Sequence, residues 1–429
     1  MKTEHTLNSQ TPPKAKSYSF KNTSYLKGDQ FIENETLTVH NNLISDQVNE
    51  SETLEIDASN FIILPGLINS HTHSPMNFLR GLVHGQKNMI ENIFFKMESK
   101  LTAKLVKDLS YSYIISGIKS GTTSFVDHYY FSEEIGNCLK ILGMRGFIGE
   151  TLADLSGAFP SNKTLTKVKK EIDNWQLGET ISPIICPHAI DTVSDQYAKE
   201  ISDFLKSSGL PIHFHLSQTQ SEWDYCHKEY GCSPTQKALK RGWLGDRSQA
   251  VHLLHVNDDD LKILKDSGTT ITTCPSSQII YEKLAPIERF YKNQIPLTLA
   301  TDCAASNDQA DLLQEAKILS LLLKDRGVDD DDLYQKVFFS MTQNPSQVFD
   351  SRIGSIKNNN FADLIFIEKN IINQPIKDIW SHIIFSLSNS DVLHSMINGK
   401  WVLWNREIQF LNEKDCMEQY LKAIKELES

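Results

Sequence analysis

The chain has no hydrophobic run long enough to cross a membrane, and residues 1–18 (MKTEHTLNSQTPPKAKSY) contain no apolar core of the kind that a secretory signal needs. Its cysteines are scattered and odd in number, which is not the pattern of a disulfide framework: Cys138, Cys186, Cys226, Cys232, Cys274, Cys303 and Cys416. The sequence therefore predicts reduced thiols, a cytoplasmic location and no membrane partner.

Positive charge is also scarce, with 43 Lys and Arg against 54 Asp and Glu and a formal net charge of −11. A general nucleic-acid surface would need clustered basic residues, so we expect no nucleic-acid partner. A small heterocycle bound in a pocket stays compatible with this charge. Hydrophobic residues make up 40% of the 429, which is enough for a sizeable core.

Eight apolar, β-rich runs alternate with stretches long enough for a helix: 61–74, 122–130, 145–152, 182–190, 211–218, 250–256, 269–276 and 297–303. This arithmetic predicts an α/β fold, a (β/α)8 TIM barrel over residues 61–355. A doubly wound parallel sheet is the alternative, but no Gly-x-Gly-x-x-Gly motif follows the first strand.

Short alternating segments at both chain ends predict further strands, which we expect to form one small β-sandwich domain from residues 17–60 and 356–412. Residues 1–16 are polar and are predicted to be disordered. Residues 413–429 are predicted to form a C-terminal helix.

Histidines and one aspartate fall where the predicted strands end, which is where barrels place their catalytic side chains. His71 and His73 close the first run and, two residues apart on a strand, face the same side. His215 closes the fifth run and Asp302 the eighth. Three ring nitrogens and one carboxylate predict a site for one divalent ion, zinc with iron as the alternative, that keeps a position open for water.

The remaining strand-end residues predict supporting roles. A divalent ion lowers the pKa of its water from about 15.7 towards 7, so Asp302 is expected to accept the proton and His252 to orient the resulting hydroxide. His213 also points inward, two residues before His215, and is predicted to be a structural core histidine. His255 is predicted to be structural as well.

Five ordered motifs resemble the amidohydrolase superfamily, and within it the branch of 5-methylthioadenosine/S-adenosylhomocysteine deaminases and atrazine chlorohydrolase-like triazine hydrolases. They are LPGLINSHTHSPMNFLRGL (64–82), PHAIDTVSD (187–195), HLSQT (215–219), HLLH (252–255) and TDCAASND (301–308). The resemblance covers residues 18–412.

This resemblance implies the same four ligands, His71, His73, His215 and Asp302, with His252 beside the activated water. It further implies that Glu98 and His188 contact the substrate. The fourth strand offers no lysine for carbamylation, which favours the one-metal form of the family. Family resemblance also makes a homo-oligomer an expectation.

One departure concerns Gln218, which stands where adenine-type deaminases of this branch carry a proton-shuttling Glu. An amide forms hydrogen bonds but cannot titrate, and losing one general acid–base group commonly costs about 10² to 10⁴ in rate. Gln218 could therefore bind substrate or take part in catalysis of another kind, or the activity could have weakened. Glu222, four residues on, is expected to lie on a helix and not to replace the missing Glu.

A second departure concerns specificity, because the arginines that bind the carboxylate of S-adenosylhomocysteine in the family have no counterparts. Glu150 stands near one of the expected positions, and two carboxylates facing each other are disfavoured. We therefore expect S-adenosylhomocysteine to be a poor substrate.

Three functions stay open at this level. The first is an aminohydrolase (deaminase) that attacks a C–N bond of a neutral N-heterocycle of purine, pyrimidine, pterin or triazine type. The second is a chlorohydrolase or a cyclic amide or amidine hydrolase with the same metal site. The third is a catalytically weakened barrel with a binding role, against which the complete set of four ligands argues.

Overall fold

The structure is a computed structural model that describes residues 5–46, 53–86, 89–159 and 165–428. Within these ranges it contains strands β1 to β19, which are His5–Thr6, Ser17–Lys27, Gln30–His40, Leu43–Ile44, Thr53–Asp57, Phe61–Pro65, Leu67–Thr72, Thr122–Tyr129, Arg145–Leu152, Ile181–Pro183, Cys186–Pro187, Ile212–Leu216, Ser248–His252, Thr270–Thr273, Leu297–Leu299, Leu364–Glu368, Val392–Ile397, Lys400–Trp404 and Glu407–Ile408.

Helices α1 to α16 are Phe95–Glu98, Ala103–Lys119, Ser132–Ile141, Leu165–Asp173, Asp195–Ser208, Gln220–Tyr230, Pro234–Arg241, Asp258–Ser267, Pro275–Tyr281, Ile287–Lys292, Ala304–Asn307, Leu312–Asp325, Leu333–Ser340, Gln343–Val348, Ile379–Ser381 and Glu413–Glu428. Several begin at a side-chain cap, as α6 does at Thr219 and α8 at Asn257. In the described part of the chain, no helix combines the length and the apolar character that a membrane span requires.

Strands from both chain ends form one hydrogen-bonded sheet of ten strands, in the order β1-β5-β2-β6-β16-β17-β18-β19, with β3 on β2 and β4 on β3. The sheet covers an aromatic core of its own, which includes Phe20, Phe366, Trp401 and Trp404. The two ends of the chain therefore build one separate β-sheet region.

A second group of strands is parallel and alternates with helices. β7, β8 and β9 pair in that order, β10 and β11 both pair with β9, and β12 to β15 pair in sequence order. Parallel bridges from Ile185 to Ile212 and from Thr72 to Asp302 link these two sheets to each other at both sides. The parallel strands are buried on both faces, as the continuous apolar runs predict.

The first apolar run differs from its prediction, because it serves both regions. β6 pairs with β2 and β16 in the ten-stranded sheet, and only β7 belongs to the parallel group. Gly66 lies between the two strands, where a Cβ would come within 2.1 Å of the Thr123 hydroxyl. β6 therefore lies in the ten-stranded sheet, although the predicted barrel begins at residue 61. Only a glycine at position 66 lets the chain pass Thr123 this closely.

The N-terminal segment also differs from its prediction over residues 5–16. β1 pairs with β5, Leu7 is fully buried, and the Ser9 carbonyl accepts a hydrogen bond from Trp404 Nε1. The prediction of disorder is therefore wrong for residues 5–16. The buried Leu7 and the pairing of β1 with β5 hold this otherwise polar segment in place. Residues 1–4 lie outside the described residues.

Candidate metal centre and active site

Four side chains expected to bind one ion lie together at one end of the parallel strands. The bridge between Thr72 and Asp302 brings the eighth strand beside His71 and His73. Asp302 Oδ1 lies 3.6 Å from His71 Nε2 and 3.7 Å from His73 Nε2. His215 Nε2 lies 3.3 Å from His73 Nε2. Donor atoms at this spacing can share one cation bound at about 2.0 to 2.2 Å from each.

The outer ring nitrogens of the three histidines all face a neighbour. His73 Nδ1 faces the His128 carbonyl, His215 Nδ1 faces the His188 carbonyl at 2.8 Å, and His71 Nδ1 lies 3.2 Å from His213 Nε2. A proton held on Nδ1 leaves the lone pair on Nε2 directed at the other ligands. His71 Nε2 is buried and has no hydrogen-bond partner among the described residues, so the donor set fits a divalent ion.

Asp302 is oriented by its own surroundings. Its Oδ2 accepts a hydrogen bond from the Ser277 hydroxyl at 2.7 Å, and its Oδ1 accepts one from the backbone N–H of Cys303 at 2.8 Å. Burial raises the pKa of Asp302, but the imidazole of His71, with those of His252 and His73, outweighs burial and holds that pKa well below its usual range. The carboxylate is therefore ionised and held with one oxygen towards His71 and His73.

His252 lies on the other side of the same carboxylate. Its Nε2 is 3.9 Å from Asp302 Oδ2, and this nitrogen is buried without a hydrogen-bond partner in the described ranges. Burial lowers the pKa of His252 to about 3, although Asp302 opposes the shift. His252 is thus a neutral imidazole whose free nitrogen faces the space next to the four clustered side chains.

The backbone is strained at the same strand ends. Ser217, His252, Leu253 and Asp302 have φ values of 51°, 82°, 51° and 59°, in the left-handed region that non-glycine residues rarely adopt. Strain of this kind persists only where the surrounding structure enforces it, and it is concentrated at functional sites. Its position supports the interpretation that these strand ends form the active site.

Two adjoining cavities open above the cluster and share Ile90, Gln218 and Tyr281. The inner cavity is lined by His73, His215 and Asp302 together with aromatic side chains such as Phe94 and Phe95. The outer cleft has a volume of about 340 Å³, which suits a small heterocycle. Of the described residues that line either cavity, none is a lysine or an arginine.

All three side chains expected to contact substrate reach these cavities. Glu98 and His188 line the inner cavity, and Gln218 lines both. Burial raises the pKa of Glu98, although the Tyr129 hydroxyl and His73 oppose the shift. Burial lowers the pKa of His188 to about 4, so its ring is neutral, and its Nδ1 lies 3.1 Å from the Thr192 hydroxyl.

Glu222 lies in the first turn of α6, and its Oε2 accepts a hydrogen bond from the backbone N–H of Gln218 at 2.8 Å. Burial, followed by the charge of Asp191, raises its pKa to about 8. Of the described residues, those that line the two cavities do not include Glu222. Its contact supports the backbone of Gln218, and the expectation that Glu222 does not replace the missing acid stays a prediction.

Glu150 was expected to face the substrate, and this expectation is wrong. It is not among the described residues that line either cavity. Its oxygens accept hydrogen bonds from the backbone N–H groups of Phe131 and Ser132 at the start of α3, at 3.1 and 2.9 Å. A carboxylate at this place caps the helix. The expectation about S-adenosylhomocysteine now depends on the described part of the cavity lining, which contains no lysine or arginine.

The two histidines expected to be structural lie at different depths. His213 is fully buried behind His71, whereas His255 lies near the outer cleft with its Nε2 3.0 Å from Glu282. Sequence reasoning missed Tyr129, beside Glu98, and His128, whose ring stacks on that of His215 with centroids 5.0 Å apart. Their position at the end of the second apolar run is the signal that could have identified them.

The model of the amidohydrolase family matches residues 62–402. A 5-methylthioadenosine/S-adenosylhomocysteine deaminase of Thermodesulfovibrio yellowstonii is 30% identical over 412 residues, covering 92% of this chain and 94% of the relative. A 5'-deoxyadenosine deaminase of Methanosarcina mazei is 28% identical over 408 residues, covering 94% of each chain.

Solved structures share the fold. An adenosine deaminase from Xanthomonas campestris with bound zinc has a TM-score of 0.90 at 22% identity, over 97% of this chain and 100% of that one. The atrazine chlorohydrolase of Arthrobacter aurescens, complexed with zinc, has a TM-score of 0.86 at 16% identity, over 95% and 100%. The chain therefore belongs to the amidohydrolase family, and the predicted class, a hydrolase acting on carbon–nitrogen bonds other than peptide bonds, is confirmed.

Proposed function

We propose that the protein is a metal-dependent aminohydrolase that releases ammonia or an amine from a neutral N-heterocycle. The observation that carries the proposal is the meeting of His71, His73, His215 and Asp302, with inward-facing Nε2 atoms and an ionised carboxylate, beneath a cavity. These four residues are the proposed ligands of one divalent ion, zinc with iron as the alternative.

We also infer that the parallel strands β7 to β15 close into a (β/α)8 barrel, with β10 and β11 together as its fourth strand. Two bridges support closure. One joins Ile185, next to β11, to β12, and the other joins β7 to Asp302, which follows β15, so each end of one parallel sheet meets an end of the other. The ten-stranded sheet, with its separate aromatic core, supports a small sandwich built on the barrel. The cytoplasmic location and the homo-oligomer stay predictions.

A divalent ion in this site supplies a hydrolytic water of lowered pKa and polarises the bond that is attacked. The protein groups have separate tasks around it. Asp302, held ionised by its imidazole neighbours, is placed to accept a proton. His252, with its unpartnered Nε2 beside Asp302, is placed to orient the attacking oxygen and to stabilise developing charge.

Substrate recognition is assigned to Glu98, His188 and Gln218. Glu98 and the neutral ring of His188 offer hydrogen bonds inside the inner cavity, and the amide of Gln218 can both donate and accept at its mouth. Aromatic walls suit the faces of a planar ring. The relatives are named for adenosine derivatives, so purine nucleosides are the first candidates.

Because the described residues that line the cavities include no lysine or arginine, none of them offers a cation to replace the hydration of a substrate carboxylate. We therefore expect 5-methylthioadenosine and 5'-deoxyadenosine to be better substrates than S-adenosylhomocysteine. Ammonia release from zinc-loaded protein against purine, pyrimidine, pterin and triazine substrates tests the proposal. Silence across the panel with zinc bound would exclude it.

Gln218 favours a second candidate, a chlorohydrolase or a cyclic amide or amidine hydrolase, because such reactions make different proton demands. The variant Gln218→Glu separates the two. If the protein is a deaminase whose rate is limited by protonation of the leaving amine, a glutamate at position 218 can supply that proton. The variant should then gain deaminase activity, by up to about 10². If the amide has a specialised role, the variant should lose the native reaction. Gln220→Glu, at an exposed residue that lines the outer cleft two positions away, controls for the added negative charge in that cleft.

A further inference from the structure

A second group of potential metal ligands adjoins the candidate site, and one of its members, His128, also lines the inner cavity. His128 on β8, Cys186 on β11 and His213 on β12 are fully buried, and one ligand atom from each lies within 4.8 Å of the others. The same spacing groups His71 with His73 and Asp302 in the candidate site. Neither His128 nor Cys186 has a task in the proposed reaction.

Three of the four ring nitrogens of this group lack a hydrogen-bond partner among the described residues, and the fourth, His213 Nε2, faces His71 Nδ1. Both ring nitrogens of His128 and Nδ1 of His213 are buried with no partner among the described residues. A neutral imidazole carries one donor and one acceptor, and burying both without partners is unfavourable. Buried polar groups left in this state call for an ion or an ordered water.

The surroundings of Cys186 are apolar. Its side chain packs in a cluster with Ile68, Val126, Phe147 and Ile184. Gly149 makes room for the sulfur, because a Cβ there would lie 2.4 Å from Cys186 Sγ. The sulfur lies within 4.8 Å of a ring nitrogen of each histidine.

We propose that His128, Cys186 and His213 bind a second zinc ion. One thiolate and two imidazoles are soft to borderline ligands that suit zinc. Tetrahedral ligands at about 2.0 Å for nitrogen and 2.3 Å for sulfur stand roughly 3.3 to 3.6 Å apart, so ligand atoms that lie up to 4.8 Å apart need to close by up to about 1.5 Å. The site would tie β8 to β11 and β12, with β9 lying between β8 and β11.

Cys186 releases its thiol proton on binding, because the thiolate is the form that binds a metal, whereas both histidines bind as neutral imidazoles. His213 Nε2 already faces His71 Nδ1 at 3.2 Å. The pair of imidazoles also joins the two sites, and the inference does not depend on which reaction the candidate site catalyses.

Sulfur is the atom that distinguishes the two sites, since the four proposed ligands of the candidate site offer only nitrogen and oxygen. Metal analysis of the purified zinc-loaded protein should find two zinc ions per chain. Zinc X-ray absorption should show a sulfur neighbour at about 2.3 Å. Cys186→Ser should remove the sulfur signal and one equivalent of zinc, and His128→Gln should lower the second equivalent.

Cys226→Ser is the matched control, because Cys226 is a fully buried thiol on α6 outside every potential ligand group of the described residues. Cys274 is the competing sulfur, since it lies within 4.8 Å of His252 and Asp302. Loss of the sulfur signal in Cys274→Ser but not in Cys186→Ser overturns the proposal. One zinc ion with only nitrogen and oxygen neighbours in the unmodified protein also overturns it and leaves water as the occupant.

Failure of the candidate site has a different signature. If only His71, His73, His215 and Asp302 failed to bind, one zinc ion would remain and its sulfur neighbour would persist. Zinc content and sulfur signal therefore report on the second site even in a protein with no measurable activity.

Discussion

The protein buries histidines in two very different settings. His394 lies in the ten-stranded sheet, where its ring packs against Trp404 with centroids 4.1 Å apart and its Nδ1 accepts a hydrogen bond from the backbone N–H of Asn405. His71 and His215 lie at the ends of parallel strands, where their rings pack mainly against other imidazoles, with centroids 5.0 Å apart.

Burial alone therefore does not mark a functional histidine. Burial lowers the pKa of His394 to about 3 and that of His71 to about 4, so both are neutral at physiological pH. The difference lies in their neighbours: aromatic rings surround His394, whereas His71 Nε2 points at a carboxylate and another imidazole. Neighbouring donors, held by separate strands, distinguish a ligand from a core residue.

The largest expected effect separates these two settings by activity. Asp302→Asn should lower kcat by about 10² to 10⁴ and weaken zinc binding, because the ligand charge and the proton acceptor are both lost. His394→Phe should leave kcat within about twofold. Ammonia release and zinc content per folded chain measure both variants. Equal losses in the two variants would remove the distinction between them.

The second expected effect separates the settings by stability. Trp404 is 1% exposed, and its indole N–H donates to the Ser9 carbonyl. Trp404→Ala should lower the free energy of unfolding by about 3–5 kcal/mol through the cavity that it leaves. Zinc content and kcat of the folded fraction should stay unchanged. A fall in kcat without loss of folded protein would show that the sheet region also shapes the active site.

Much of this architecture could be predicted from sequence because it depends on local periodicity. Apolar runs that end in polar residues identified the parallel strands, and a strand period of two placed His71 and His73 on one side. Asp302 followed from its position at the end of the last run. The proposed ligand set therefore needed only strand assignment and the rule that barrels use their strand ends.

The features that could not be predicted depend on contacts distant in sequence. Glu150 looked like a cavity residue, but its carboxylate reaches the first residues of α3. The first apolar run looked like one strand, and the proximity of Thr123 to Gly66 divides it between two sheets. The position of His128 at a strand end is visible in the sequence, but its proximity to Cys186 and His213, which lie on other strands, is not.

A smaller effect is expected from the hydroxyl that holds the catalytic carboxylate. Ser277→Ala removes the 2.7 Å hydrogen bond to Asp302 Oδ2 and should lower kcat or zinc affinity by about 10- to 100-fold, with KM nearly unchanged. The control is Ser276→Ala, since this neighbouring hydroxyl donates to Glu315 instead. An unchanged Ser277 variant would mean that the zinc ligands alone orient Asp302.

The smallest effect concerns the pH dependence of stability and returns to His394. The pKa of His394 is about 3 in the folded protein and about 6.5 in the unfolded chain. As pH falls below about 6.5, the unfolded chain therefore binds a proton at this histidine that the folded protein does not bind. The unmodified protein should therefore lose stability on acidification faster than His394→Phe does, by up to about 1.4 kcal/mol per pH unit. Urea unfolding of both proteins between pH 7.5 and pH 5 on the zinc-loaded form measures the difference, because the zinc ligands titrate equally in each. If the free energy of unfolding falls equally with pH in both proteins, His394 accepts a proton within the folded sheet. Its aromatic neighbours would then not lower its pKa as its burial indicates.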